Sequence, residues 1–178
     1  MAILPIIVAP DPRLKLKAAP VRQVDDAIRQ IMDDMLETMR AAPGIGLAAP
    51  QVGVSRRVLV IDIARDDEEP QPYQIANPEI LWYSEEERIY NEGCLSLPEH
   101  YADVSRPVEV EISYLDYRNV SRRLRADGLL ATCLQHEIDH LNGTLFVDHL
   151  SSLKRNIILR KLQKTKRTTI PATEKEPV

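Results

Sequence analysis

Two histidines four residues apart flank a glutamate in His136-Glu137-Ile138-Asp139-His140. On a helix this spacing stacks both imidazoles on one face, one turn apart, where they can converge on a single metal ion. Glu137 then stands beside the ion rather than on it, placed to take a proton from an activated water. A pattern of this length also arises by chance on solvated helices. Here Leu134, Ile138 and Leu141 give the same segment an apolar face, and ionisable groups on a helix that enters a core need partners or a task.

A catalytic centre of this type takes a third protein ligand and leaves one position open. No further histidine follows closely: His149 comes nine residues after His140, beyond the Asn142-Gly143 helix stop, and Glu174 and Glu176 fall in a segment expected to fray. The better candidate lies upstream, in Asn91-Glu92-Gly93-Cys94-Leu95-Ser96-Leu97-Pro98. There Cys94 sits between a glycine and a proline, on a loop-like stretch able to approach other elements. The alternative for Cys94 is a small buried hydrophobe. Cys133 competes as a ligand, but three residues before His136 it reads as a core or pocket-wall residue. His100 and His149 read as polar surface residues rather than ligands.

These groups need a scaffold. Residues 1–23 are broken by Pro5, Pro10, Pro12 and Pro20 and read as irregular. Asp25-Asp26 opens a helix in which Ile28, Ile31, Met32, Met35, Leu36 and Met39 keep the rhythm of a buried face, ended by Pro43-Gly44. The methionines read as core packing. Residues 44–53 then hold half of the six glycines. Arg57–Ile63 reads as a buried strand, Asp66–Pro72 as an acidic loop, and Glu85–Tyr90 as a weaker strand. Val108, Val110, Ile112 and Tyr114 alternate with polar residues, and the Asp116–Asn119 turn joins them to a strand over Val120–Ala126. A second helix starts at Asp127-Gly128 and carries the histidines, with Leu130, Leu134, Ile138 and Leu141 on one face. A third, basic helix spans residues 152–167, with Leu153, Ile157 and Leu162 as its apolar stripe. Strands grouped between helices point to an α+β fold, with mostly antiparallel sheets packed around the central histidine-bearing helix and one helix at each end.

Composition agrees with one domain. The chain has 178 residues, 44% hydrophobic and 28% charged, with two cysteines, which excludes a disulfide scaffold and a disordered chain. No apolar run approaches the roughly 18 residues of a membrane span, and the apolar start, broken by Pro5 and lacking a basic region, does not read as a signal peptide. A cytoplasmic location is expected, with no membrane partner and no specific DNA binding. Net charge is −4, unevenly spread. Residues 151–178 carry eight basic and two acidic side chains, against fifteen and twenty-five in the remainder. Such a segment suits a polyanion, or else a solvated amphipathic face.

Taken together, Gly44-Ile45-Gly46-Leu47-Ala48-Ala49-Pro50-Gln51, Glu92-Gly93-Cys94-Leu95-Ser96 and His136-Glu137-Ile138-Asp139-His140 resemble, in order, the three signature motifs of the peptide deformylase family. The likeness covers about residues 3–165, with Ala9-Pro10-Asp11-Pro12 near its start. It implies removal of the formyl group from N-formylmethionine on nascent chains. It implies Cys94, His136 and His140 as ligands of one divalent ion per chain, natively Fe²⁺ and replaceable by Zn²⁺, Ni²⁺ or Co²⁺. Glu137 would be the general acid/base, while Gln51 and the backbone N–H of Leu95 would donate to the developing oxyanion. Ile45, Gly46, Gly93, Leu129 and Cys133 would bind the substrate. Tyr101 stands where an arginine is common in the family, which bears on affinity rather than on the chemistry. Residues 1–150 would form the catalytic domain, residues 151–167 a basic helix able to dock on the ribosome, and residues 168–178 a disordered tail. A general metallopeptidase and a structural metal site in an RNA-binding module are the competing readings. The cysteine and the lack of a downstream ligand weigh against the first, and an open three-ligand site weighs against the second.

Overall fold

The computed structural model describes residues 2–65 and 67–169. Its centre is a five-stranded sheet in the order β1-β2-β3-β6-β7, built from β1 (Gly46–Ala48), β2 (Val58–Ile61), β3 (Tyr73–Tyr83), β6 (Glu109–Leu115) and β7 (Ser121–Asp127). Every ladder in it is antiparallel. Strands β4 (Glu87–Cys94) and β5 (Leu97–Pro107) form a separate antiparallel hairpin.

Helix α1 (Asp26–Ala41) is capped by the Asp25 carboxylate, which accepts from the Ile28 N–H at 3.0 Å, satisfying one of the orphan donors of its first turn. It lies on one face of the sheet, and helix α2 (Gly128–Leu141) lies on the other. Strand β2 shows how a four-residue apolar run serves both layers. Val58 and Val60 pack with Met32, Met35 and Met39 of α1, whereas Leu59 and Ile61 pack with Leu134, Ile138 and Leu141 of α2. All four β2 side chains are fully buried, as a strand covered on both faces requires.

Three strands escaped the sequence pattern. β3 is interrupted by Asn77, at φ +48°, and by Pro78, where the pairing with β6 shifts register. Proline is tolerated within a sheet at such a bulge, and the bulge destroys the alternation by which a strand is recognised. β5 contains Pro98 and many polar residues because the hairpin is largely exposed on one side. β1 is only three residues long. Cys94 is accordingly the last residue of a strand, before the tight Leu95-Ser96 turn, and not part of a loop.

A third core joins Leu14, Leu97, Val104, Phe146 and Val147 to Leu162 of helix α3 (Ser152–Thr169). Thr168 and Thr169 therefore continue the helix, and the rest of the expected frayed tail lies outside the described residues. The expected apolar stripe of α3 needs correction. Leu162 is buried, but Leu153 is 72% and Ile157 43% exposed; Ile158 and Leu159 are the partly buried partners. Nine residues at about 3.6 per turn place Leu153 on the side opposite Leu162. Among the described residues no helix is long and apolar enough to cross a membrane.

Leu162→Ala should lower stability by about 2–5 kcal/mol, the usual cost of emptying a packed leucine site, whereas Leu153→Ala should stay within about 0.5 kcal/mol of the parent. Urea unfolding midpoints of the two variants read the difference.

Candidate metal centre

Helix α2 is buried almost all round, so its polar residues are held away from water: Gln135, His136, Glu137 and His140 are each 8% exposed or less. The i, i+4 spacing brings the two imidazoles to 5.0 Å between ring centroids. Cys94 arrives from the end of β4, its Sγ 3.2 Å from His140 Nε2. The sulfur and one nitrogen of each ring lie within 4.8 Å of one another, and this is the one His/Cys/Asp/Glu cluster of its kind among the described residues. A thiolate and two imidazoles at that spacing suit a borderline divalent ion such as Fe²⁺, Zn²⁺, Ni²⁺ or Co²⁺ better than Mg²⁺ or Ca²⁺.

Each ligand candidate is held by a neighbour. His136 Nδ1 donates to Glu92 Oε2 at 3.0 Å, which fixes the tautomer and turns Nε2 toward Cys94 and His140. Phe146 stacks on the same imidazole at 6.2 Å. Glu92 is clasped by Arg106, with Nε donating to Oε1 at 2.6 Å and an outer nitrogen to Oε2 at 3.0 Å. Burial alone would raise the Glu92 carboxyl, but the bonds from His136 and Arg106 outweigh it and hold the group below its ordinary value. Gln51 is 1% exposed and sits on a short 3-10 turn, Ala49–Val52. Its Oε1 accepts from the Ala48 N–H at 2.8 Å, which aims its amide nitrogen at Ser96 Oγ (3.1 Å) and Cys94 Sγ (3.5 Å).

Glu137 is different. Its Oε2 is buried with no hydrogen-bond partner, and burial pushes its carboxyl up to about 7. A carboxylate with a free buried oxygen and near-neutral affinity is suited to carrying a proton. Burial lowers both imidazoles; Cys94 and Glu92 carry His136 back well above its usual value, and His136 presses His140 further down.

A cavity of about 540 Å³ opens over these groups. Ile45, Gly46, Gly93, Cys94, Leu95, Leu129, Cys133, His136 and Glu137 all line it, so the expected substrate-binding set converges. Gln51 and His140 stand behind that lining. Close approach explains Gly46, where a Cβ would collide with Glu137 Oε1 and meet Cys133 Sγ at 2.8 Å, both buried; a Cβ on Gly93 would strike the ring of the exposed Tyr101. Gly46 thus makes room for the side chains of α2. His100 and Tyr101 stand at the mouth, and neither belongs to the ligand cluster.

Sequence reasoning gave no task to Arg106, Ser96 or Phe146, since nothing in a polar hairpin or an apolar loop marks a residue as facing the metal site. Arg106→Met removes the counter-charge of a buried carboxylate and should cost about 3–5 kcal/mol at pH 7. Glu92's depressed pKa contributes stability above its unfolded value, 4.5, and that stability is lost as pH falls through the lower folded value. In the variant burial prevails and the folded pKa rises, so the stability gap should narrow toward pH 4; equal gaps in urea midpoint at both pH values would refute this account.

Comparison with known proteins gives a single answer. Residues 3–156 match the family model described as polypeptide deformylase. The peptide deformylase of Methylocella silvestris is 54% identical, covering 99% of this chain and 92% of that one; that of Phenylobacterium zucineum is 56% identical, covering 92% and 97%. Among solved structures, peptide deformylase from Ehrlichia chaffeensis in complex with actinonin superposes with a TM-score of 0.90 at 45% identity, over 94% of this chain and 99% of that one. The enzyme from Legionella pneumophila does so at 0.87 and 47%, over 96% and 100%. With the fold, the order of the three motifs and the cysteine–histidine cluster all in agreement, the chain belongs to the polypeptide deformylase family.

Proposed function

We propose that this chain hydrolyses the formyl amide of N-terminal formylmethionine on newly made proteins, releasing formate, with Cys94, His136 and His140 holding one divalent ion. The observation that carries this reading is the combination, in one cavity, of that ligand cluster with a buried, unpartnered Glu137 oxygen. An ion bound there supplies Lewis acidity and lowers the pKa of a nearby water. Glu137 takes the proton of the attacking water and returns it to the departing amine, which its near-neutral affinity permits in both directions. The Gln51 amide and the Leu95 backbone N–H donate to the oxygen that gains charge on the formyl carbon. Ile45, Leu129 and Cys133 form an apolar slot for the unbranched methionine side chain. β1 lies at the edge of its sheet, so the backbone around Gly46, together with Gly93 of β4, can pair with an extended peptide.

Fe²⁺ is the proposed native ion, with Zn²⁺, Ni²⁺ and Co²⁺ as substitutes. A thiolate-ligated Fe²⁺ is prone to oxidation at Cys94, and both cysteines are free, so a reducing cytoplasm is the proposed setting. The discriminating experiment compares a formyl-methionyl peptide with its acetyl counterpart. Formate release from the first and negligible hydrolysis of the second is expected; equal rates would favour a general peptidase, and no activity with bound metal a structural site. Cys94→Ala should lose most of the metal, whereas Glu137→Ala should keep it and lose about 10²–10⁴-fold in kcat; metal analysis beside kinetics separates the two.

The basic helix α3 is proposed to dock on ribosomal RNA, where nascent substrate emerges. Lys154, Arg160, Lys161, Lys164 and Lys166 are exposed along it, and phosphate contacts release counterions. Replacing Lys161, Lys164 and Lys166 together with glutamine spares Leu162 and should weaken ribosome co-sedimentation and flatten its salt dependence, with peptide kinetics unchanged. Salt-insensitive binding identical to the parent would leave the helix as a solvated face.

A further inference from the structure

Arg106 uses a third donor beyond the two that hold Glu92: an outer nitrogen donates to Asp139 Oδ2 at 2.9 Å. The same oxygen accepts from His149 Nε2 at 2.8 Å. His136, Glu92, Arg106, Asp139 and His149 therefore form one unbroken chain of hydrogen bonds. It runs from the buried edge of the metal centre to a histidine that is 37% exposed. His136 and Asp139 are three residues apart on α2, so the chain leaves the helix, crosses β4 and β5, and returns to it before ending on the 3-10 turn Phe146–His149.

We propose that His149 is a positioning residue for His136, acting through Asp139, Arg106 and Glu92; this rests on the reading of His136 as a metal ligand. A guanidinium is rigid and planar, so its donors move together. The direction in which Asp139 holds one side of Arg106 therefore sets the angle at which the other side presents its fork to Glu92. That fork fixes the Glu92 carboxylate, and the carboxylate fixes the His136 ring. Asp139 is 24% exposed in its side chain, free to turn toward water unless held. His149 supplies the second bond that holds it. Phe146 occupies the same short turn as His149 and stacks on His136, which offers a rival route through packing that the test must separate.

The probe is the protein loaded with Co²⁺, whose visible d–d bands follow the ligand geometry. His149→Ala should release Co²⁺ to a chelator about tenfold faster than the parent, the low end for groups that orient a ligand. It should also shift the d–d bands and lower kcat with KM unchanged. His149→Gln, which can still donate to Asp139, should recover most of the loss. In an Asp139→Asn background, His149→Ala should add little, because the route is already cut. Release, bands and kcat all equal to the parent in His149→Ala would overturn the proposal. So would a full additive loss in the Asp139→Asn background, which would assign the effect to the Phe146 turn. His136→Ala is measured alongside. If it keeps Co²⁺ as the parent does, the ligand reading falls and the positioning role falls with it. If it loses Co²⁺ while His149→Ala behaves as the parent, the ligand reading stands and only the positioning role is refuted.

Discussion

Arg106 and Glu92 are charged, paired and almost wholly removed from water, at 5% and 6% exposure, and the site hangs on that pair. Desolvating two ions costs several kcal/mol each, and mutual attraction offsets this only when geometry is good and remaining polar atoms are satisfied. Here the two-pronged clasp, the bond from His136 and the bond to Asp139 meet the condition. The pair also does mechanical duty. A two-stranded hairpin is marginal by itself, and β4–β5 shares no ladder with the main sheet. Holding it to α2 through Arg106 and Glu92 places Cys94, at the tip of β4, against the two histidines. One interaction thus orients one candidate ligand and delivers another.

The cost of a polar helix inside a core is met elsewhere. Both faces of the five-stranded sheet are covered by apolar side chains, with the methionines of α1 on one side and the leucines and isoleucine of α2 on the other. That packing fixes where α2 presents Glu137, and the burial that results raises its affinity for a proton; the room its side chain takes is provided by the missing side chain of Gly46.

Periodicity and capping made α1 and the β6–β7 hairpin legible, because each has one face in the core and the other in water, whereas α2 and β2, covered almost all round, were legible from their apolar residues and the turn signals that flank them. The ligand cluster was legible for a different reason: helical spacing fixes the relation of His136 to His140 without knowledge of the fold. Cys94 could be nominated from its neighbours, yet its approach to the histidines depends on the β4–β5 hairpin, whose polar, proline-containing sequence hides its strands. Arg106, Ser96 and Phe146 were illegible because their partners lie far away along the chain and no local pattern announces a long-range contact. The stripe expected of α3 does not form because the nine residues from Leu153 to Leu162 amount to about two and a half turns, which puts the two leucines on opposite sides of the helix.

β1 spans only Gly46–Ala48 and pairs on one side alone. An unpaired strand edge is a template on which other chains assemble, and proteins usually blunt such edges with charge, proline or cover. The three residues of this edge carry neither charge nor proline; the Gln51 side chain covers the Ala48 N–H, and brevity is the other safeguard. The ladder it offers is enough for a short extended segment and ends at once in the Ala49–Val52 turn. An edge this short gives an unfolded chain too little ladder on which to nucleate aggregation.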